Sequence, residues 1–154
     1  MIKHFQIISN MSSRFDDIPE APIGSKDSDK LNIASMIVHT GDLANSTRPY
    51  EVNAMWSILV NKEFAAQVED ERRLGLPVTE FMVGVEKPEV FYKNEMGFNV
   101  YVVKPLWVAL DKWLNPHIEL QLNNMETNIK LIEAEKVKAD EAAAKRDAEN
   151  AEKQ

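Results

Sequence analysis

The run MIVHTGDLANSTRP, residues 36–49, is the most informative segment of this chain. Its apolar lead gives way to four polar residues that repeat every third position: His39, Asp42, Asn45 and Arg48. On a helix or a 3₁₀-like turn, that spacing places them on neighbouring turns and roughly on one face. Gly41 has no Cβ and lets backbone or ligand approach beside Asp42. A carboxylate in this position is a hard oxygen ligand that suits a divalent cation.

The same spacing has a simpler interpretation. Asp42 and Asn45 can bond local backbone groups where a helix ends, and such capping roles are commoner for Asp than metal ligation. Ser46 and Pro49 mark the change from helix to loop. The run alone leaves both interpretations open.

The composition places the chain among ordinary globular proteins and excludes several function classes. Its 154 residues suit one domain, with 44% hydrophobic and 28% charged residues. The absence of Cys excludes disulfides and thiolate metal sites and fits a reducing compartment, so we expect a cytoplasmic location. The net charge of −7 and the lack of a basic stripe argue against nucleic-acid binding. No apolar run approaches the roughly 20 residues that a membrane span needs.

Apolar periodicity predicts an all-α fold. The predicted helices cover residues 1–16, 30–41, 50–74, 89–114 and 117–137. Polar loops are predicted over 16–29 and 75–88, and there is neither a convincing strand nor an internal repeat. The Ala, Glu and Lys-rich stretch 138–154 is predicted to be a helical or disordered tail beyond a domain that occupies 1–137.

One apolar stripe makes 50–74 the clearest helix. The stripe consists of Val52, Met55, Trp56, Leu59, Val60 and Phe64. Gly75 is a plausible residue for ending this helix, and Pro77 prevents its continuation.

Four further positions carry predictions about where helices begin or change. Ser28 or Asp29 is a candidate cap for the second helix. Pro105 is expected to kink or end the 89–114 helix locally. Pro116 is expected in the first turn of the last helix, with Asn115 as its cap.

The run 36–49 resembles the H-x-x-D-L-x-N signature of the class I 3′,5′-cyclic nucleotide phosphodiesterases. Matching residues continue in order downstream and upstream, and the resemblance covers roughly residues 1–120. They are Trp56, Phe64, the Glu95–Phe98 run, the Pro105–Trp107 run and the upstream Ile8–Ser12 run. The resemblance implies that the chain is the C-terminal part of a helical phosphodiesterase catalytic domain of the HD-domain-like type, starting inside that domain.

In the resembled family, two divalent ions, zinc with magnesium or manganese, hydrolyse the phosphodiester. Asp42 matches one metal ligand, whereas His39 matches an orienting or structural histidine. The other ligands and the general acid belong to an upstream segment that this sequence lacks, so we expect no catalytic residue here. Only His4, His39 and His117 are present, and no two of them lie at a ligand spacing.

The resemblance also implies a base-binding pocket. Asn45 matches a residue that reaches the nucleotide, and Phe98 and Val60 match the two sides of a clamp around the base. From periodicity alone, Phe98 is a core residue, and Asn45 is equally well a turn-forming residue. In the resembled family a loop here closes over the pocket, and Phe81 and Met82 are candidates for its pocket-facing residues, although anchoring of the loop to the core is the favoured interpretation.

Several positions depart from the family pattern, and Glu95 is the most consequential. The family has a glutamine there, which can both donate to and accept from a purine, whereas an ionised Glu only accepts. Ser46 replaces a proline, Asn53 replaces a pocket tyrosine, and Asn10 replaces an aspartate. Purine selectivity is therefore open.

Two functions follow as hypotheses. The first is a metal-dependent phosphodiesterase that hydrolyses cAMP or cGMP in signal transduction, incomplete without the upstream part of its domain. The alternative is a catalytically inactive remnant that acts as a helical interaction or regulatory protein. The expected partners of the chain are a cyclic nucleotide and the absent N-terminal part of the catalytic domain. Self-association through an exposed apolar face is a further option.

Overall fold

The computed structural model describes residues 2–17 and 27–152, and all regular structure in these ranges is helical. The six α-helices are α1 (Ile2–Asp17), α2 (Asp27–Asp42), α3 (Tyr50–Arg73), α4 (Pro88–Phe98), α5 (Lys104–Leu114) and α6 (Glu119–Ala151). Two 3₁₀ turns lie at Ala44–Thr47 and Glu80–Met82, and a π-helical segment lies at Asn99–Val103. The predicted all-α fold class is confirmed.

The first two helices extend further into the predicted loop than periodicity indicated. α1 runs to Asp17 and α2 begins at Asp27, so Ser28 and Asp29 lie inside the helix and the prediction that one of them caps it is wrong. Their polar character favoured a cap, but backbone hydrogen bonding continues through them. The middle of the predicted loop, residues 18–26, lies outside the described residues.

The hydrophobic core surrounds α5 and the π segment. Val103 and Leu106 have no exposed surface. The remaining buried members come from α2, α5 and α6: Ile33, Met36, Trp107, Ala109, Leu110, Met125 and Ile129. Burial of this apolar surface is the main stabilising contribution to such a bundle.

α3 packs with the opposite side from the one its apolar stripe indicated. The stripe is exposed from Val52 to Val60, with exposed fractions from 37% at both ends to 50% at Met55. The residues that α3 buries are Asn53, Asn61 and Val68. This side contacts α6 and the 3₁₀ turns. The Asn61 amide is satisfied by the Ser57 carbonyl within α3 and by the Glu95 carboxylate on α4. The described helices therefore leave a large apolar face of α3 uncovered.

The predicted interruption at Pro105 takes the form of a π-helical segment between α4 and α5. The Lys104 N–H donates to the Asn99 carbonyl, five residues earlier. Proline has no N–H, and its ring clashes with the carbonyl four residues before it in a regular α-helix. The wider turn before Pro105 accommodates the ring, and α5 continues directly from it.

The connection to α6 differs from the predicted one. Pro116 lies in a turn at 115–118, and α6 begins at Glu119, so Pro116 is not in its first turn. The Asn115 N–H donates to the Asp111 carbonyl at 2.9 Å, and its side-chain amide donates to the Asp111 carboxylate at 3.3 Å. Because Asn115 completes the end of α5 in this way, it does not cap α6.

α6 is a single helix that continues past residue 137 to Ala151. Ala139 is buried, and the Arg146 guanidinium lies 2.8 Å from the Glu89 carboxylate on α4. The first part of the stretch predicted as a tail therefore packs against the bundle. Across the described ranges, no helix is both long enough and apolar enough to cross a bilayer.

Gly75 ends α3 as the sequence predicted. Its φ of +67° lies in the left-handed region that glycine favours. The Gly75 N–H donates to the Arg72 carbonyl at 3.1 Å, and the Leu76 N–H donates to the Glu71 carbonyl at 2.9 Å. This pair of bonds is a Schellman motif, which satisfies carbonyls that the end of a helix leaves unpaired.

A pair of histidines joins α1, α2 and the π segment. The His4 Nδ1 lies 2.6 Å from the His39 Nε2, and the His4 Nε2 lies 3.0 Å from the Val102 carbonyl oxygen. His4 is buried, and the carbonyl requires a proton on its Nε2. A neutral His4 then accepts a hydrogen bond from His39 through Nδ1. Burial lowers the pKa of His4, and the neighbouring His39 lowers it further, while the bond to Val102 opposes both effects.

We expect the protein to lose stability as the pH falls through about 6.5, the pKa of an unperturbed histidine. The pKa of His4 is lowered in the folded state, so the unfolded chain takes up this proton first. Thermal unfolding midpoints at pH 7.5 and 5.5 measure the effect, and His4→Leu should reduce the difference between them. The matched control is His117→Gln at an exposed histidine, which should keep the wild-type difference. An undiminished difference in His4→Leu would contradict this assignment.

Gly75→Ala should lower the free energy of unfolding by about 1–2 kcal/mol, because a Cβ disfavours the left-handed conformation. Gly97→Ala in α4 is the control. A Cβ there meets no atom within 4 Å, and we expect a gain of about 0.5–1 kcal/mol from the better helix former. Chemical denaturation of both variants measures the two changes. Equal effects of the two substitutions would be inconsistent with a conformational role for Gly75.

Candidate functional site

Asp42 is the last residue of α2, and its side chain is exposed. It lines an open surface groove together with residues of the same helix, namely Ala34, Ser35, Val38 and His39. The next residue leaves the helix, since the Leu43 N–H donates to the Thr40 carbonyl at 3.2 Å and a 3₁₀ turn follows. The carboxylate is therefore accessible to a cation from outside.

The 3₁₀ turn at 44–47 carries Asn45, which is half-buried. Two local bonds shape the turn: the Thr47 hydroxyl donates to the Ala44 carbonyl at 2.8 Å, and the Arg48 N–H donates to the Asn45 carbonyl at 3.1 Å. Ser46 and Thr47 are buried. Asp42 ends α2 and Asn45 lies in the 3₁₀ turn that follows, so the run passes from a helix into a 3₁₀ turn.

Glu95 on α4 is hydrogen-bonded to α3 through both of its carboxylate oxygens. The Ser57 hydroxyl donates to Oε2 at 2.6 Å, and the Asn61 amide donates to Oε1 at 3.1 Å. The same Asn61 amide group also donates to the Ser57 carbonyl at 2.9 Å. These bonds fix the carboxylate against α3 and join two helices that carry candidate pocket residues.

The surroundings of Glu95 disfavour its ionised form. Burial raises the pKa of Glu95, and the hydrogen bonds from Ser57 and Asn61 lower it by a smaller amount. An ionised carboxylate has about four positions for accepting hydrogen bonds, and the two donors from α3 occupy two of them. The remaining positions stay available to donors on a ligand.

Val60 and Phe98 are both partly exposed, at 37% and 41%. Val60 follows Ser57 by three residues, and Phe98 follows Glu95 by three residues. Residues at this spacing are neighbours on a helix surface. Each therefore lies within one helical turn of the hydrogen bond that joins α3 to α4, and the periodicity that favoured a core role for Phe98 was misleading.

The predicted loop-anchoring residues differ from each other. Met82 is buried, whereas Phe81 is 57% exposed and its ring meets the Phe64 ring edge-on at a centroid distance of 5.6 Å. The Asn94 amide donates to the Phe81 carbonyl at 2.7 Å. The loop is thus held to α3 and α4 by contacts of Phe81.

The candidate residues do not share one cavity. Glu95 and Ser57 line a cavity of about 50 Å³ between α3, α4 and α6, together with residues that include Tyr50, Asn53 and Ile132. Asp42 lines the separate groove on α2, and neither cavity includes Asn45, Val60 or Phe98. Glu95 lies close to α3, whereas the Asp42 groove is open and has no lining residue in common with the Glu95 cavity.

The residues that the structure describes do not form a metal centre. No group of three His, Cys, Asp or Glu side chains in them is arranged to hold a metal ion. The His39 Nε2 faces His4 and is occupied by that contact. Asp42, which the sequence predicted as a metal ligand, has an accessible carboxylate. One carboxylate by itself does not fit a two-ion site.

Sequence reasoning missed the partners of Glu95 and of His39. Ser57 and Asn61 are polar residues four positions apart within an otherwise apolar stretch of α3, and this pattern was the available signal. The His4 partner of His39 lies 35 residues away in the sequence, and no local pattern indicates their contact.

The sequence matches a known family model. The model is described as 3′5′-cyclic nucleotide phosphodiesterase and matches residues 1–125. The chain is 30% identical over 110 residues to the probable 3′,5′-cyclic phosphodiesterase pde-3 of Caenorhabditis elegans, covering 71% of this chain. It is 25% identical over 132 residues to a 3′,5′-cyclic-AMP phosphodiesterase of Drosophila melanogaster, isoform F, covering 83% of this chain.

Two solved structures have a similar fold. Both are phosphodiesterase domains from Salpingoeca rosetta, one titled as a rhodopsin phosphodiesterase and one as a RhoPDE fusion protein. The first aligns with a TM-score of 0.85 at 28% identity over 94% of this chain, and the second with 0.79 at 29% identity over 92%.

The chain spans only part of these relatives. It covers 15% of the nematode protein, 20% of the fly isoform and 44% of each Salpingoeca rosetta chain. The family match nevertheless includes both the Asp42–Asn45 segment and the Glu95–Phe98 segment. Because the match extends over residues 1–125 of the 154, the chain belongs to the 3′,5′-cyclic nucleotide phosphodiesterase family.

Proposed function

We propose that this chain is the C-terminal part of the catalytic domain of a phosphodiesterase that hydrolyses a 3′,5′-cyclic nucleotide. The observation that carries the proposal is the family match over residues 1–125, which contains the candidate metal and base segments in order. The 44% coverage of the Salpingoeca rosetta domains supports a division of the site between this chain and a further segment.

In this proposal, Asp42 provides one metal ligand at the edge of the α2 groove. Metal dependence is general in the family, and we propose the zinc with magnesium or manganese pair that the sequence resemblance implies. The described residues offer no second ligand beside Asp42, so we derive no step through the ions. The remaining ligands are proposed to come from His and Asp residues of the further segment.

Asn45, Val60, Glu95 and Phe98 are proposed to bind the base. The exposed faces of Val60 and Phe98 offer apolar and aromatic surface to a planar ring. The Asn45 amide can donate and accept. An ionised Glu95 presents acceptors and no donor, which favours amino groups of a base over ring nitrogens that lack hydrogen.

The uncovered face of α3 supports the same proposal. Large side chains such as Met55, Trp56 and Leu59 are 43–50% exposed side by side on one helix. An apolar patch of this kind marks a contact surface. We propose that the segment carrying the other metal ligands covers it.

The same face supports the second candidate function, a helical interaction or regulatory protein without activity, in which self-association covers α3. Sedimentation of the purified chain distinguishes a monomer from a self-associated form. A monodisperse monomer with one cooperative melt would oppose self-association. Hydrolysis on addition of the ligand-bearing segment would favour the enzyme.

The 154-residue chain by itself is expected to hydrolyse neither cAMP nor cGMP with Mg²⁺, Mn²⁺ or Zn²⁺. A lone carboxylate on an open surface does not bind two ions in a defined geometry. Chromatographic separation of the cyclic nucleotide from its monophosphate measures the reaction, with a complete phosphodiesterase domain as positive control. Robust turnover by the chain alone would refute the count of metal ligands.

Glu95→Gln should stabilise the fold at neutral pH. The pKa of Glu95 is raised above its unfolded value near 4.5, so the wild-type protein loses stability as the pH rises through the folded pKa. Glutamine carries no charge, and both the Ser57 hydroxyl and the Asn61 amide can donate or accept. The gain in unfolding midpoint should be largest at about pH 7–8 and shrink as the pH falls towards 4.5.

The matched control for this prediction is Glu63→Gln, at an exposed glutamate on α3. It should leave the pH dependence of the midpoint unchanged. A stability gain from Glu95→Gln that is the same at every pH would show that the carboxylate is ionised equally in the folded and unfolded states.

A further inference from the structure

One face of α6 contacts both segments of the candidate site. Asn124, Asn128 and Ile132 are spaced by four residues and therefore lie on the same side of the helix. The two asparagines reach the turn that follows Asp42, and Ile132 lines the cavity next to Glu95. α6 thus contacts both segments, as α3 does.

The contact with the turn consists of three hydrogen bonds to successive carbonyl groups. The Asn128 amide donates to the Ser46 carbonyl at 3.0 Å and to the Arg48 carbonyl at 2.8 Å. The Asn124 amide donates to the Thr47 carbonyl at 3.1 Å. Both partners of the Asn128 Nδ2 are acceptors, so the orientation of this amide is determined by its contacts.

Burial makes these bonds consequential. Asn128 is 1% exposed, and Ser46 and Thr47 are buried as well. A buried carbonyl that loses its donor retains its desolvation penalty without compensation. The Asn128 Oδ1 has no hydrogen-bond partner, so the Asn128 side chain contributes hydrogen bonds only through its nitrogen.

The carbonyls that α6 binds come directly after Asn45. This backbone no longer takes part in the helical hydrogen bonds of α2. Within the turn, the Thr47 hydroxyl and the Arg48 N–H supply local hydrogen bonds. Its path between the end of α2 and the start of α3 therefore depends on donors from elsewhere. Asn124 and Asn128 supply those donors from a helix 77–82 residues later in the sequence.

We propose that Asn124 and Asn128 are positioning residues that set the conformation of the Asn45 turn, with α6 as the common support of the two parts of the base site. The role of the turn in binding a nucleotide rests on the proposed function, whereas its conformational dependence on the two amides does not. Neither asparagine contacts the ligand in this proposal, because both act through the backbone of residues 46–48.

Amide hydrogen exchange of the full 154-residue chain tests the proposal without any need for activity. Asn124→Ala and Asn128→Asp should accelerate exchange of the amides within residues 43–49, where Pro49 has none, by about tenfold per lost bond, with the α5 core unchanged. Asn128→Asp keeps the size of the side chain and replaces the two N–H donors with an ionisable carboxylate. Asn123→Ala, at an exposed asparagine on the same helix, is the matched control and should change nothing.

A pH profile separates hydrogen bonding from packing. The carboxylate introduced by Asn128→Asp would face two carbonyl oxygens, so its pKa should be raised in the folded state and protonation should restore one donor. The difference in unfolding midpoint between this variant and the wild type should therefore narrow as the pH falls towards about 4. Burial alone also raises this pKa, so the donor role further requires that exchange at residues 43–49 return towards the wild-type rate at the same low pH, and narrowing without that return would contradict it.

Two results would overturn the proposal: unchanged exchange at residues 43–49 in folded variants, or acceleration spread evenly over the whole chain. If Asn128→Asp does not fold, Asn124→Ala decides, since it removes a single bond from a less buried side chain. Confirmed local acceleration would uphold the positioning role even if the chain, combined with the ligand-bearing segment, neither bound nor hydrolysed a cyclic nucleotide, a result that would reject the proposed function alone.

Discussion

The donation of side-chain amide hydrogens from α6 to backbone carbonyls is the constraint on which the rest of the candidate site depends. Where α2 ends, the carbonyls of residues 46–48 leave the helical ladder, and Ser46 and Thr47 are buried there. Asn124 and Asn128 satisfy these carbonyls. The same helix packs along α4, so α6 contacts both the turn that carries Asn45 and the helix that carries Glu95.

α3 shows how the family relationship bears on the surface of this chain. The helix directs Asn53, Asn61 and Val68 inward and leaves Met55 and Trp56 exposed. Buried polar side chains are tolerated where their hydrogen bonds are satisfied, as those of Asn61 are. A domain more than twice as long, as in the Salpingoeca rosetta relatives, offers enough chain to cover the apolar side.

Glu95 combines a structural and a chemical role. Its carboxylate joins α4 to α3 through Ser57 and Asn61, and burial disfavours the ionised form, which accepts hydrogen bonds without donating any. A base that donates hydrogen bonds would relieve part of this cost, whereas a base that accepts would not. If Glu95 binds the base as proposed, selectivity at this position depends on how the protonation state of Glu95 responds to that base.

The sequence by itself determined the all-α class, the family, and features encoded by neighbouring residues. The helix predicted at 50–74 is found at Tyr50–Arg73, and Gly75 ends it, because apolar periodicity and glycine conformation are local properties. The identities of Asp42, Asn45, Glu95 and Phe98 as candidate site residues also came from local motifs. Their roles stay predictions.

Only the tertiary structure decided which side of α3 is buried, where α6 begins and which polar groups pair. A periodic stripe states that a face is apolar, but the elements that pack against the helix determine whether that face is covered. His4 meets His39 across 35 residues, and Ser57 meets Glu95 across 38. Such contacts arise from the packing of separate helices, so no local pattern of residues encodes them.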